Sequence, residues 1–376
     1  MNEPLHTKKI LLVQLFSNGD CLYATTIARQ IKTDYPHCHL TWAIAAFCKN
    51  IIDENPYVDA VMVVNDVPKN DLAAFRKLKR KFHAEKEAGK WDEVFVTQNM
   101  DGNLAYYDGC IRTGVYRAYP HPVTVSTTPV LRLTEAEKNN AAAFAANNKL
   151  EDYRVRLLFE FAPLSGQVPM TRDIAISIAE KVVKDPEVVV ILSSALKIDH
   201  PNSQIIDGSV LTLRETAGLS FFCTHLLGCS SGISWATTSD GAKLLPMVQL
   251  INPGTIWLNA VSRDFKRFNK STDNIIDLIG LDEEKIEACL QLCFRDFAAA
   301  RKKYNQEIPL KFTSSRNIVY NLLTQLQFKY IARHIAANRE VYGNNWLFYR
   351  TVFATVLFSP FTFIRNYYKK RILHKK

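Results

Sequence analysis

No G-x-G-x-x-G occurs in the 376 residues, so neither half of the chain carries the glycine fingerprint of a dinucleotide-binding turn. A dehydrogenase is therefore disfavoured. No D-x-D motif is present. The eight cysteines form no C-x-x-C pair and no regular framework; Cys289 and Cys293 stand four apart, but no histidine or further cysteine joins them at metal-ligand spacing. Reduced, buried thiols are expected, as in a cytosolic protein. No run reaches the roughly 18 apolar residues that a spanning helix needs. No secretory leader is read either, since M-N-E-P-L-H-T-K-K runs straight into a strand. Acid is missing from one region: beyond Val341 there are seven basic residues and no Asp or Glu. The net charge is +10, so the rest of the chain holds only +3 (10 − 7).

What is present is an α/β pattern. Lys8 to Asp34 reads as a buried strand, a tight loop and a helix. Ile10 to Leu15 is a short apolar run of the kind that a parallel strand covered on both faces requires. Phe16-Ser17-Asn18-Gly19 is turn chemistry, with Asn18 and Gly19 suited to positive φ. From Cys21 to Thr33 the apolar residues Leu22, Ala24, Ile27, Ala28 and Ile31 fall at helical spacing. Asp20 stands where loop becomes helix. Two readings are open: a helix N-cap, or a carboxylate presented at the C-terminal sheet edge, where open α/β folds bind ligands.

Further strands are expected at His39–Ala45, Asp59–Val64 and Trp91–Thr97, with a charged helix over Asp71–Ala88. A solvated face explains that helix, and no nucleic-acid partner is called for. Gln98 to Asn103 follows a strand at the ligand edge, where Asn99 and Asp101 are candidates to hold a hydroxyl-rich acceptor or simply cap a connection. Thr134 and Glu137 form a capping box that opens a helix ending near Asn148.

A second strand series begins at Arg154–Phe161 and continues at Val188–Ser193. Ser165-Gly166-Gln167 is a loop with spare donors between them. Thr212 and Glu215 form another capping box, with Glu215 alternatively placed to bond a ribose hydroxyl. His225–Gly228 is a short buried strand, followed by the small-residue turn Cys229-Ser230-Ser231-Gly232 and a helix from Ile233. Ser230, Ser231, Gly232 and Ser234 suit an anion such as a diphosphate, with Gly232 expected at positive φ; a tight turn with serine caps is the plainer reading. Pro246–Ile251 is a further strand, closed by Asn252-Pro253-Gly254.

The two loops together resemble the heptosyltransferase group, glycosyltransferase family 9 and its relatives. The N-terminal match is Phe16-Ser17-Asn18-Gly19-Asp20-Cys21-Leu22, and the C-terminal one is Ser230-Ser231-Gly232-Ile233-Ser234-Trp235 with Asn252-Pro253. The resemblance implies GT-B architecture, two Rossmann-like domains with parallel sheets facing a cleft. Expected domains are 1–150 on the acceptor side with the catalytic base, 151–315 for the nucleotide-sugar donor, and a helical, aromatic and basic extension over 316–376. It also implies an inverting transfer with Asp20 as base, Ser17, Asn18 and Gly19 beside the acceptor, and no metal or other cofactor. The absent D-x-D agrees with that. The pattern departs from the family where D-[ST]-G-x-x-H becomes Ser230 and Trp235, and where no lysine stands near Gly166-Gln167-Val168-Pro169. The sugar is therefore open, heptose or related. A GT-B-shaped sugar-nucleotide-binding partner of an envelope assembly complex, without transfer activity, is the alternative.

The tail, W-L-F-Y-R-T-V-F-A-T-V-L-F-S-P-F-T-F-I then R-N-Y-Y-K-K-R, is apolar, aromatic and then basic. A helix packed back across the domains suits residues up to Tyr342 and fits poorly beyond. Docking on an anionic cytoplasmic membrane face, beside a glycan, lipid-linked or protein acceptor, is expected for the last thirty or so residues.

Overall fold

The apolar runs separated by amphipathic segments fold into two parallel sheets. The computed structural model describes residues 7–163, 167–254 and 260–373, with side chains as far as 359. In the first sheet β1 (Lys9–Val13), β2 (His39–Ala45), β3 (Ala60–Val64) and β4 (Glu93–Val96) lie in the order β3-β2-β1-β4. The second holds β5 (Val155–Glu160), β6 (Val188–Ser193), β7 (Ile205–Asp207), β8 (His225–Gly228), β9 (Met247–Ile251) and β10 (Ile275–Ile279) in the order β10-β9-β8-β5-β6-β7. Ile10 faces Leu40 on one side and Glu93 on the other, and Leu158 sits between Ile191 and Leu226. β1 and β6 are buried on both faces and read as nearly unbroken apolar runs, whereas β5 and β9 are buried but carry Glu160 and Gln249 among their apolar residues. β7 and β10 carry acids, Asp207 and Asp277, and were not anticipated.

Each sheet reverses its strand order once, between β1 and β4 and between β5 and β8. Ligand crevices in open α/β sheets form at such switch points. The expected α/β class and two-sheet architecture are those observed. One cluster of buried side chains joins the halves, with Ile10, Ile27 and Ala28 from the first and Leu158, Leu226, Trp235 and Met247 from the second. All eight cysteines are free thiols and buried.

The chain then returns to the first half. Helices Thr313–Thr324 and Phe328–Tyr342 pack on Ala105 and Tyr107, with Asn338 Nδ2 donating to the Tyr107 carbonyl at 3.1 Å. The helix Trp346–Leu373 corrects the expectation that packing stops near Tyr342. Phe348 is fully buried and Val352 nearly so, both in the same cluster. Their spacing of four lays one face of that helix on its neighbours.

Candidate active site

The helix after β1 begins at Asn18, three residues earlier than its apolar spacing suggests. It starts early because Ser17, and not Asn18 or Gly19, takes the positive φ, at 68°. Asp20 is thus the third residue of the helix and not its cap; the N-cap position belongs to Ser17. The loop is held from β4's side. Gln98, buried, accepts hydrogen bonds from the amides of Leu15 and Phe16, both at 2.9 Å, and from Gln14 Nε2 at 3.1 Å. The positive dipole end favours a carboxylate in the first turn. Burial nevertheless raises the Asp20 carboxyl to about 7, against the opposing charge of Lys69. No hydrogen bond reaches that carboxylate among the described residues.

Across the cleft the dominant group is one that sequence reading passed over. Glu160, the last residue of β5, is buried and accepts six hydrogen bonds through its side chain. Cys229 N lies at 2.8 Å, Ser231 N at 3.4 Å, Ser231 Oγ at 2.5 Å, Ile233 N at 3.0 Å, Ser234 N at 3.3 Å and Ser234 Oγ at 2.6 Å. The free amides at the start of the helix Gly232–Ala236 are therefore already turned on a carboxylate supplied by the protein. Ser230 lies behind this, its amide and hydroxyl donating to Gln249 Oε1 at 3.0 and 2.9 Å. Gln249 is on β9, so three strands of the second sheet converge on one turn.

Between these walls lies a cleft of about 940 Å³. Ser17, Asn18, Gly19 and Asp20 line it from the first half, and Gln167, Ser231 and Gly232 from the second. Asn18 Oδ1 is buried there without a hydrogen-bond partner among the described residues. Four non-glycine residues in the cleft lining or its turn, after strands of both sheets, hold positive φ: Ser17, Asn70 at 68°, Ala162 at 48° and Ser230 at 53°. Such backbone costs on the order of 1–3 kcal/mol per residue, and it concentrates where geometry serves function. The two walls touch through Trp235, whose ring meets Tyr23 edge-on at 5.1 Å. The Arg112 guanidinium packs over Tyr23, 4.6 Å from its centroid, and pairs with Asp264 at 3.0 Å, both side chains fully buried.

No family model matches the chain, and no curated protein does. Solved structures do match. The glycosyl transferase family 9 protein from Veillonella parvula aligns at 16% identity with a TM-score of 0.53, over 79% of this chain and 94% of that one. E. coli ADP-heptose lps heptosyltransferase II aligns at 15% identity with a TM-score of 0.50, over 78% of this chain and 99% of that one. The chain shares the two-sheet α/β fold of these structures. At these identities the likeness is one of architecture.

Within this GT-B cleft the remaining sequence candidates divide. Ser230 and Ser234 are buried and support the turn, without lining the cavity. Glu215 completes its capping box with Thr212 and accepts from Asn140 Nδ2 at 2.7 Å, so both its oxygens are engaged outside the cavity. Asn99 donates to the Ile111 carbonyl at 3.2 Å, and Asp101 pairs with Arg76 at 2.7 Å and Lys79 at 3.6 Å. Neither lines the cleft. Ser165 and Gly166 lie outside the described residues. Gly232 does not have positive φ, contrary to expectation; a Cβ there would meet only Leu213, at 3.9 Å. The tight approach is at Gly228, where a Cβ would stand 2.3 Å from Ser234 Oγ and 2.4 Å from Gln249 Nε2.

Other cleft residues had no sequence signal of their own: Lys69 after β3, Ser193 and Ser194 at the end of β6, and Ser209 after β7. They became visible as a group only when the strand order put their loops at one edge.

Proposed function

We propose that this chain is an inverting glycosyltransferase that moves a sugar, heptose or related, from a nucleotide-diphosphate donor to a hydroxyl of a cell-envelope acceptor such as a lipopolysaccharide glycan. The observation that carries the proposal is Asp20: a carboxylate without a hydrogen-bond partner among the described residues, raised to about 7, on the wall of a large cleft between two switch points. A base of that strength takes the acceptor proton near neutral pH as the oxygen attacks the anomeric carbon. Bond formation to that carbon and departure of the diphosphate then occur on opposite faces, which inverts the centre without a covalent intermediate.

The donor diphosphate needs donors other than the first-turn amides, because Glu160 already engages those and would repel a second anion. Lys69, Asn70, Gln167 and the serines after β6 and β7 are further polar groups along the cleft. We assign the nucleotide to the β6–β7 side and the acceptor to the Ser17–Asp20 side. No metal ion is assigned a role.

The deciding experiment incubates the protein with nucleotide sugars and a deacylated envelope glycan, in chelator, and follows nucleoside diphosphate release. Release that depends on both substrates and fails with Asp20→Asn supports transfer. Binding of a nucleotide sugar with no turnover against any acceptor supports the non-catalytic alternative.

A further inference from the structure

Over residues 346–359 the helix Trp346–Leu373 buries one face and leaves the other to solvent. Inward, Phe348, Val352 and Thr355 are each less than a tenth exposed, and Phe348 meets Phe312 at 5.3 Å between ring centroids. Outward, Trp346 is 75% exposed, Phe353 70% and Leu357 53%. With Arg350 these sit at spacings of four, three and four, so they form one stripe along the helix. Large apolar side chains grouped this way on a surface mark an interaction site, unlike scattered single ones.

The same helix runs on through Arg365, Lys369, Lys370 and Arg371, and no acid occurs after Val341. No helix among the described residues is long and apolar enough to cross a membrane. Aromatic and apolar groups followed in the sequence by a block of cations with no acid among them suit a surface that is apolar below and anionic above. A second copy of this chain would bring like charges together, and a nucleic acid would leave the apolar stripe unused. We propose that the outward face of residues 346–359, together with the basic run that follows it in the sequence, docks on an anionic phospholipid bilayer, lying in the plane of the headgroups. The inference is independent of which reaction the cleft performs.

The test is co-sedimentation of the full-length protein with vesicles of phosphatidylcholine alone and of phosphatidylcholine mixed with phosphatidylglycerol. Binding is expected only with the anionic lipid, and is expected to weaken as salt is raised. A Lys369→Gln, Lys370→Gln, Arg371→Gln variant should bind on the order of 100-fold more weakly, each nearby cation adding about 1 kcal/mol. A Trp346→Ser, Phe353→Ser, Leu357→Ser variant should lose binding while keeping its melting temperature, because the three side chains are exposed. Truncation after Gly343 is unsuitable, since it strips Phe348 and Val352 from the core; truncation after Ser359 keeps them. Binding indifferent to lipid charge, or unchanged in the stripe variant, overturns the proposal. So does self-association in sedimentation velocity that the stripe variant abolishes.

Discussion

Glu160 Oε2 and the Ser234 hydroxyl lie 2.6 Å apart, joining the end of β5 to the helix that follows β8. The contact is one of six through which a single carboxylate organises the turn facing Asp20. All six partners donate, so the group is used purely as an acceptor. Glu160→Gln places an amide NH₂ among donors and leaves at least one of them unpaired. A loss of about 1–3 kcal/mol is expected, the cost of an unsatisfied buried polar group. Urea denaturation measures it, and an unchanged midpoint would show that the turn holds itself.

Asp20→Asn should lower turnover by about 10²-fold or more, in the range of a lost general base. The wild-type kcat/KM should rise with pH and level off above about 7, the value to which burial lifts this carboxyl. Stability should move the opposite way. The folded state holds the Asp20 proton to higher pH than the unfolded chain does, so folding loses free energy between the ordinary aspartate value and about 7. Asp20→Asn is therefore expected to raise the melting temperature at pH 8 and to leave it nearly unchanged at pH 4. A variant that turns over normally would leave Asp20 as no more than a favourable first-turn acid.

Lys69 is the cation that opposes the upward shift of Asp20. Removing it as Lys69→Met should move the acidic limb of the kcat/KM profile to higher pH, because the carboxylate loses an attractive charge. The donor KM should rise as well if Lys69 meets the diphosphate. A limb that stays in place, measured across the same buffers, would show that the two side chains do not communicate.

Much of this was legible because burial on both faces leaves a plain mark in the sequence. His39–Ala45, Val188–Ser193 and His225–Gly228 match the observed strands end to end, and both capping boxes form as written. The Asp20 loop was legible as an edge loop but not in its backbone, because positive φ at Ser17 is an outlier that no propensity anticipates. Glu160 was not legible at all. In R-V-R-L-L-F-E-F it looks like a strand end, and its partners from Cys229 to Ser234 come from the turn and helix after β8, a strand that is its neighbour only in space. A buried acid earns its place from non-local donors, which linear spacing cannot display.

Gly228→Ala and Gly232→Ala should separate packing from ligand access. At Gly228 the new methyl would collide with Ser234 Oγ and Gln249 Nε2, the two groups that flank the Glu160 network. Overpacking of this kind costs typically about 1–3 kcal/mol. At Gly232 the methyl meets only Leu213 at ordinary contact distance and points at the cleft wall, so the fold should keep its stability. Thermal melts with and without a nucleotide sugar read both effects. Equal destabilisation by the two would mean that the turn is limited by backbone freedom and not by space.

The last test concerns the joint between the halves. Arg112 comes from the helix Ile111–Arg117 and Asp264 from Val261–Arg267, and their fully buried pair lies 3.0 Å apart behind the Tyr23–Trp235 contact. Burial raises the Asp264 carboxyl, and the Arg112 charge holds it down. Arg112→Met preserves much of the volume but strands the aspartate, which should cost roughly 3–5 kcal/mol. The loss should be larger at pH 8 than at pH 5, because the stranded carboxyl escapes its penalty by taking a proton, and does so more readily in acid. Adding Asp264→Asn should recover part of the stability, since the buried charge is gone along with its partner. A single variant equally unstable at both pH values would show that Arg112 acts through its packing on Tyr23 and Trp235, and not through its charge.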